Sequence, residues 1–225
     1  MEVSLIKHTP DPDRTVAAGA RLCYSSSNVD EIYNDMDEQE VKKLINMLKK
    51  VGHTSPIEHI SFTFGIEGIS RALSHQLVRH RIASYTQKSQ RYVSEEGFCY
   101  ITPPTINESD EAKKIYEETM QMLQENYNKL CEKVPKEDAR YILPNSCETK
   151  LVATFNARSL INFFQLRCCF RAQWEIRELA WRMLEKVKEV SPYVFEDVGA
   201  ECDMTKRCTE GKKSCGRYKI LVEKD

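Results

Sequence analysis

The sequence predicts an α+β fold, with one domain over residues 1–200 built on a mixed helix and strand core and a polar tail over residues 201–225. Three observations carry this. Apolar and polar residues alternate through Ile60-Ser61-Phe62-Thr63-Phe64, the period of a half-buried strand, and residues 148–155 read as another strand. Longer stretches around them repeat their apolar residues every three to four positions, the period of amphipathic helices. The chain has 225 residues, 41% of them hydrophobic, which is long for one domain, short for two, and enough for a substantial core.

Taken in order, residues 2–8 alternate loosely and predict a strand. Asp11-Pro12-Asp13 starts a helix running to about Cys23, and Ser25-Ser26-Ser27-Asn28 is a loop. Residues 37–51 form a strongly amphipathic helix on Val41, Leu44, Ile45 and Leu48, stopped by Gly52. A compact polar turn over residues 52–59 leads into the strand that begins at Ile60. Residues 69–78 read as a helix with Ile69, Leu73 and Leu77 or Val78 on one face, and the polar run after it reads as an extended loop. Pro103-Pro104 marks a break. A long helix follows over residues 109–134, with Ile115, Thr119, Met122, Leu123, Asn126 and Leu130 as its inner face and Pro135 ending it. The strand at 148–155 opens into a helix through Arg167, in which Leu160, Ile161, Phe163, Phe164 and Leu166 are expected to be buried. A last helix over residues 172–190 offers Trp174, Ile176, Leu179, Ala180, Met183, Leu184 and Val187 to the core.

Charge narrows the function classes. Lysine plus arginine (33) nearly balances aspartate plus glutamate (34), without the basic excess of a general nucleic-acid or membrane-surface binder, so any basic site must be local. No apolar run approaches the length of a membrane span, and the first residues show no basic and then apolar signal pattern. The nine cysteines, odd in number and scattered, point to reduced thiols in the cytoplasm. No metal site is assigned. His53 and His59 do not fit the helical His-Glu-x-x-His spacing or its inverse, and Cys202, Cys208 and Cys215 lie farther apart than usual zinc ligand gaps.

The chemistry gathers in residues 79–92, where Arg79, His80, Arg81 and Arg91 lie among Ser84, Thr86, Gln87, Ser89 and Gln90. On a helix, Arg79, His80 and Arg81 would point about 100° apart, which suits the surroundings of a large polyanion better than a salt-bridge row. On charge alone, the same cluster reads as a solvated helix end whose arginines complement the helix dipole. A second unusual stretch is Asn156 to Arg167, where Asn156, Arg158, Asn162 and Arg167 interrupt a largely apolar helix. Arg158 and Asn162 share a face at i and i+4, and polar groups in such a setting need partners, which a ligand can supply.

Arg79-His80-Arg81, followed after seven residues by Ser89, resembles the signature of the flavin-dependent thymidylate synthases. The resemblance continues in order and spacing through Gly52-His53 and Glu58-His59, Ala139-Arg140 to Leu143-Pro144, Asn156-Ala157-Arg158-Ser159-Leu160, Asn162-Phe163 and Gln173-Trp174-Glu175, covering residues 52 to about 195. It implies a homotetramer of α+β subunits with active sites shared between chains. The implied reaction makes dTMP from dUMP, with the methylene of 5,10-methylenetetrahydrofolate and reducing equivalents from NADPH passed through FAD.

By the same resemblance, Ser55, Arg79, His80, Arg81, Gln87, Asn156, Arg158 and Asn162 would hold FAD, with His53 beside the flavin. Gln76, Arg79, Gln87, Lys88, Ser89, Gln90, Arg91, Arg140 and Arg167 would hold dUMP, with Arg167 acting on the pyrimidine. These residue types suit the task, because the planar guanidinium fork matches phosphate while glutamine and backbone groups read a uracil ring. The family uses no cysteine nucleophile. This chain departs from members that carry Asn-Glu where it has Thr86-Gln87, which keeps hydrogen bonding at position 87 but removes a charge.

Overall fold

A computed structural model describes residues 1–222. Its elements, in order, begin with β1 (Glu2–His8), α1 (Pro12–Leu22), α2 (Val29–Asp35) and α3 (Glu38–Val51), then a short 3-10 turn at Ser55–His59. Next come β2 (Ser61–Ser70), α4 (Arg71–Leu77), β3 (Ser84–Gln87), α5 (Pro104–Asn107), α6 (Asp110–Cys131), α7 (Lys136–Ala139) and β4 (Glu148–Asn156). The chain continues as α8 (Ala157–Arg167), α9 (Trp174–Val190), α10 (Pro192–Phe195), α11 (Glu201–Thr205) and α12 (Arg217–Val222). The class is α+β, with four strands in one antiparallel sheet of order β1-β2-β4-β3.

Local chemistry sets several of these boundaries. The Asp37 side chain accepts from the Glu40 N–H to start α3, and Gly52, at φ +74°, ends it in the left-handed region that glycine enters without steric cost. Ser109 caps α6 through the Ala112 N–H. The Gln173 side chain takes both the Glu175 and Ile176 N–H groups at 3.1 Å to begin α9.

Four helix expectations are corrected. The predicted helix over residues 69–78 starts later. The Ser70 hydroxyl accepts from the Leu73 N–H, so α4 begins at Arg71, and Ile69 is buried as part of β2. Arg79, His80 and Arg81 therefore lie beyond the end of α4, and the run after them is not simply a loop, since residues 84–87 pair as β3. In α6 the buried side is Met120 and Tyr127, with Tyr116 and Leu123 half-buried beside them, while Ile115 (60% exposed), Met122 (53%) and Asn126 face outward. In α8, Leu160, Phe163 and Phe164 are buried, but Leu166 is 53% exposed and Ile161 is only partly covered. Trp174 in α9 is likewise half-buried, whereas Ile176, Leu179, Ala180, Met183, Leu184 and Val187 are in the core.

The chain packs as two compact units. The first comprises Met1–Glu2, Ile66–Arg79 and Thr86–Val152. Its core includes Phe98, Met120 and Cys147, with Tyr100, Tyr116, Leu123 and Leu143 packed around them. Tyr100 meets Tyr116 edge-on at 5.6 Å, a geometry worth about 0.5–1.5 kcal/mol beyond the buried area.

The second unit comprises Val3–Gly65, His80–Tyr85 and Ala153–Asp225. A chain of phenylalanines runs through it. Phe62 contacts Phe195 at 5.4 Å, Phe195 contacts Phe164 at 6.2 Å, Phe164 contacts Phe163 at 5.7 Å, and Phe163 contacts Phe155 at 5.8 Å. Each of these rings is almost fully buried, and each contributes roughly 1.5–3 kcal/mol of transfer free energy. They fix α8 rigidly against its neighbours, and α8 carries Arg158, Asn162 and Arg167, with Asn156 at its cap.

Candidate active site

In the second unit the site is organised by α8. Asn156 ends β4 and caps α8, its side-chain oxygen accepting from the Ser159 N–H at 2.8 Å, so strand passes into helix without an intervening loop. One turn on, Arg158 and Asn162 stand on one face, as their spacing predicts. With Thr54, Ile57, Ile161 and Val198 they line a groove of about 490 Å³ that is mainly apolar. Arg158 forms an ion pair with Glu58. Both groups are exposed, and such a pair is worth little in water, so an anionic ligand can displace the carboxylate at small cost. His53 and Ser55 are exposed on either side of Thr54, at the entry to the 3-10 turn.

At the far end of α8, the Arg167 Nε–H donates to His80 Nε2 at 3.2 Å. A guanidinium has no acceptor, so that imidazole nitrogen must carry a lone pair. Burial, the larger cause, and the positive charge of Arg167 together push the His80 pKa down to about 4, which leaves the ring neutral near pH 7. The ring also rests edge-on against Phe163, with centroids 4.9 Å apart, and its backbone carbonyl accepts from the Tyr85 hydroxyl at 2.8 Å. Burial raises the Tyr85 phenol above its ordinary range, which keeps it a donor. The Ser159 hydroxyl donates to the Ile82 carbonyl at 2.7 Å, tying the segment after His80 down to α8. Arg81 is exposed. Arg167 has no carboxylate partner among the described residues and also lines a second groove, of about 360 Å³, with Arg171 and Lys213.

In the first unit, Gln76 and Arg79 lie at the end of α4. The Gln76 amide donates to the Ala72 carbonyl at 3.4 Å, and Arg79 is exposed. The loop that follows β3 is divided by direction. The Gln87 amide donates inward to the Ser74 hydroxyl at 2.9 Å and the Thr149 hydroxyl at 3.2 Å. Lys88 Nζ meets Glu95 Oε2 at 2.7 Å, and Gln90 is buried, donating to Cys147 Sγ at 3.7 Å. Ser89 and Arg91 remain on the outer side. The Ser89 Oγ accepts from the Arg91 N–H at 3.2 Å. Glu137 gathers two arginines, its carboxylate accepting from Arg91 at 2.8 Å and its backbone carbonyl from Arg140 Nε at 3.0 Å.

Sequence reasoning missed several of the groups that hold these residues. Glu95 is 3% exposed, although Ser94-Glu95-Glu96-Gly97 has the composition of a solvated turn. Arg71 is half-buried, its basicity lowered by that burial, and its Nη1 donates to the Lys88 carbonyl at 3.4 Å. Glu58 and Tyr85 fall within the matching motifs, but nothing in the sequence marked Glu58 as the partner of Arg158 or Tyr85 as a donor to the His80 carbonyl.

A family model described as "Thymidylate synthase complementing protein" matches residues 4–193. The chain is 49% identical over 234 residues to a flavin-dependent thymidylate synthase of Clostridium tetani, covering 96% of this chain and 94% of that protein. It is 50% identical over 220 residues to one of Geobacter sulfurreducens, with the same two shares. It is 41% identical over 243 residues to one of Pyrococcus horikoshii, covering 100% of this chain and 99% of that one. Motif, fold and end-to-end similarity agree, and the chain belongs to the flavin-dependent thymidylate synthase family.

Proposed function

We propose that this protein is a flavin-dependent thymidylate synthase that converts dUMP to dTMP with FAD as cofactor, 5,10-methylenetetrahydrofolate as carbon donor and NADPH as reductant. The observation that carries the reading is a single helix bearing, at one end, Arg158 and Asn162 on an apolar groove and, at the other, Arg167 held by a neutral histidine. The groove suits part of a flavin dinucleotide. Its walls are mainly apolar, its volume falls among ligand sites of about 300–1,000 Å³, and its one guanidinium is held only by an exposed carboxylate that a pyrophosphate can replace.

In this reading Arg158 and Asn162 bind the dinucleotide with Ser55, Arg79, His80 and Arg81, and His53 lies beside its ring system. Asn156 acts through the helix that it caps. When bound, the flavin supplies hydride chemistry that side chains cannot. Gln76, Arg79, Ser89, Arg91 and Arg140 bind dUMP, the arginines taking its phosphate, while Gln87, Lys88 and Gln90 fix the course of the loop. Arg167 sets its charge against the pyrimidine, favouring ionisation at N3 and a build-up of electron density at C5, the carbon that is alkylated. His80 holds Arg167 by its neutral lone pair and so cannot weaken that charge by competing as a second cation. No thiol nucleophile is needed. Burial pushes the Cys147 and Cys168 thiols up to about 11 and about 12, where thiolate is scarce at neutral pH.

The active assembly is a homotetramer with sites shared between chains, working in a reducing cytoplasm. Residues 1–200 carry the synthase, and residues 201–225 are an appended polar segment. Among the described residues, no helix is long and apolar enough to cross a membrane.

The test is a visible spectrum of the purified protein loaded with FAD, followed anaerobically through NADPH and dUMP addition, and then an assay for dTMP with the folate present. Bound flavin bleached by NADPH and subsequent dTMP formation are expected. Folded protein that binds no FAD would overturn the assignment.

A further inference from the structure

We propose that Glu95 is a positioning residue for the substrate loop and that Lys88 serves as its counter-ion, not as a ligand of the nucleotide. The proposal rests on the reading that residues 87–91 border the dUMP site. Lys88 falls inside the family motif, and by position alone it counts as one more cation for the phosphate. Its ammonium instead turns inward to Glu95 Oε2 at 2.7 Å, and that carboxylate is 3% exposed.

Glu95 is anchored at its other end as well. Its N–H donates to the Tyr127 hydroxyl at 3.1 Å, and its carbonyl accepts from Gln124 at 3.4 Å, both on α6. Tyr127 is itself fully buried. The loop is thus strapped to a long helix through one side chain. Around this strap, Gln87 is fixed by Ser74 and Thr149, Gln90 by Cys147, and the Lys88 N–H by the Lys150 carbonyl at 2.9 Å. Ser89 and Arg91, the two residues left on the outer side, owe their direction to these inward contacts.

A charge pair with a buried carboxylate and a half-buried ammonium is a costly way to stabilise a fold, since desolvation, chiefly of the carboxylate, offsets much of the attraction. It is an effective way to specify one geometry, because misplacing either partner strands the other. Glu95 Oε1 is buried with no hydrogen-bond partner among the described residues, so this carboxylate is already incompletely satisfied and depends on Lys88. The half-buried Arg71, whose charge the Glu95 carboxylate favours, donates to the carbonyl of Lys88 and closes the same cluster from α4.

The test is steady-state dTMP formation, with dUMP affinity measured separately by equilibrium dialysis on the FAD-loaded protein. Wild-type synthesis is read first. Its absence would remove the functional reading and this inference together, before any variant is made. Given that activity, Lys88→Met and Glu95→Gln should each raise the KM for dUMP about tenfold, keep kcat at saturating dUMP within about threefold, and leave the bound-flavin spectrum unchanged. Lys88→Arg, which keeps the pair, should stay near the wild-type KM. The double variant Lys88→Met/Glu95→Leu removes both charges and should be no worse than either single variant, the non-additivity expected of partners in one contact. Two results would overturn the inference. In one, Lys88→Met weakens dUMP binding while Glu95→Gln behaves as wild type, which makes Lys88 a direct ligand. In the other, the single variants lower the melting temperature but leave the dUMP affinity unchanged, which makes the pair a stabilising contact only.

Discussion

His80 should make the protein less stable as the pH falls from about 6.5 to 4. In the unfolded chain a histidine titrates near 6.5, whereas burial and the Arg167 charge bring His80 to about 4 in the fold. Above pH 6.5 the ring is neutral in both states and contributes no pH dependence. Between the two values the unfolded state binds a proton that the folded state refuses, so stability declines with falling pH and levels off below 4. The gap corresponds to about 3.4 kcal/mol at 1.36 kcal/mol per pKa unit, and because the ring is only partly buried, solvent screening reduces the expected loss to roughly 1–2 kcal/mol.

With five histidines in the chain, selective isotope labelling and NMR titration can follow each ring, with His80→Gln identifying the signal. Urea unfolding at several pH values would give the stability slope. Arg167→Leu should raise the His80 midpoint only part of the way, since burial is the larger cause and remains. A His80 midpoint near 6.5, or a His80→Gln variant with the same pH slope as wild type, would refute the argument.

Other perturbations follow from contacts described above or nearby. Arg167→Ala should abolish dTMP formation while the flavin spectrum persists, and full turnover would remove Arg167 from the mechanism. Cys168→Ala and Cys169→Ala should both retain dTMP synthesis, and loss of chemistry in folded protein would restore a thiol to the reaction. The buried Asp13 accepts from the Ser191 hydroxyl and from the Tyr193 and Val194 N–H groups, joining α1 to α10. Asp13→Ala leaves those donors unpaired and should cost about 2–4 kcal/mol, read as a melting temperature lower by roughly 5–15 °C. A change of less than about 2 °C would show that these bonds are replaced by solvent.

The sequence carries the fold where one physical signal dominates. The α3 helix was legible because its cap, its apolar stripe and Gly52 agree. The start of α4 was not, because Ile69 satisfies the helical period by coincidence. Only the contact between the Ser70 hydroxyl and the Leu73 N–H shows where the backbone turns. In α6 several stripes compete, and the aromatic one, Tyr116 with Tyr127, is chosen by partners distant in sequence. The motif residues could be named in advance, but not the direction in which they face. Lys88 and Arg91 are both cations in one short run. Lys88 turns in to Glu95, seven residues later, and Arg91 to Glu137, forty-six residues away. Periodicity has no access to such pairings, since they depend on how the loop crosses α6 and α7.

The junction at Asn156 has a mechanical consequence. Because the last residue of β4 is also the cap of α8, no flexible joint separates the strand from the helix. Arg158 and Arg167 are therefore mounted on one bar, nine residues apart, about 13.5 Å along its axis at 1.5 Å per residue. That spacing acts as a ruler between two guanidinium groups. Inserting a single residue between them would lengthen the bar by only about 1.5 Å but turn one guanidinium about 100° around the helix axis relative to the other. The register of α8 is thus more restrictive than its length, and two sites on one helix can be changed by substitution but not by insertion.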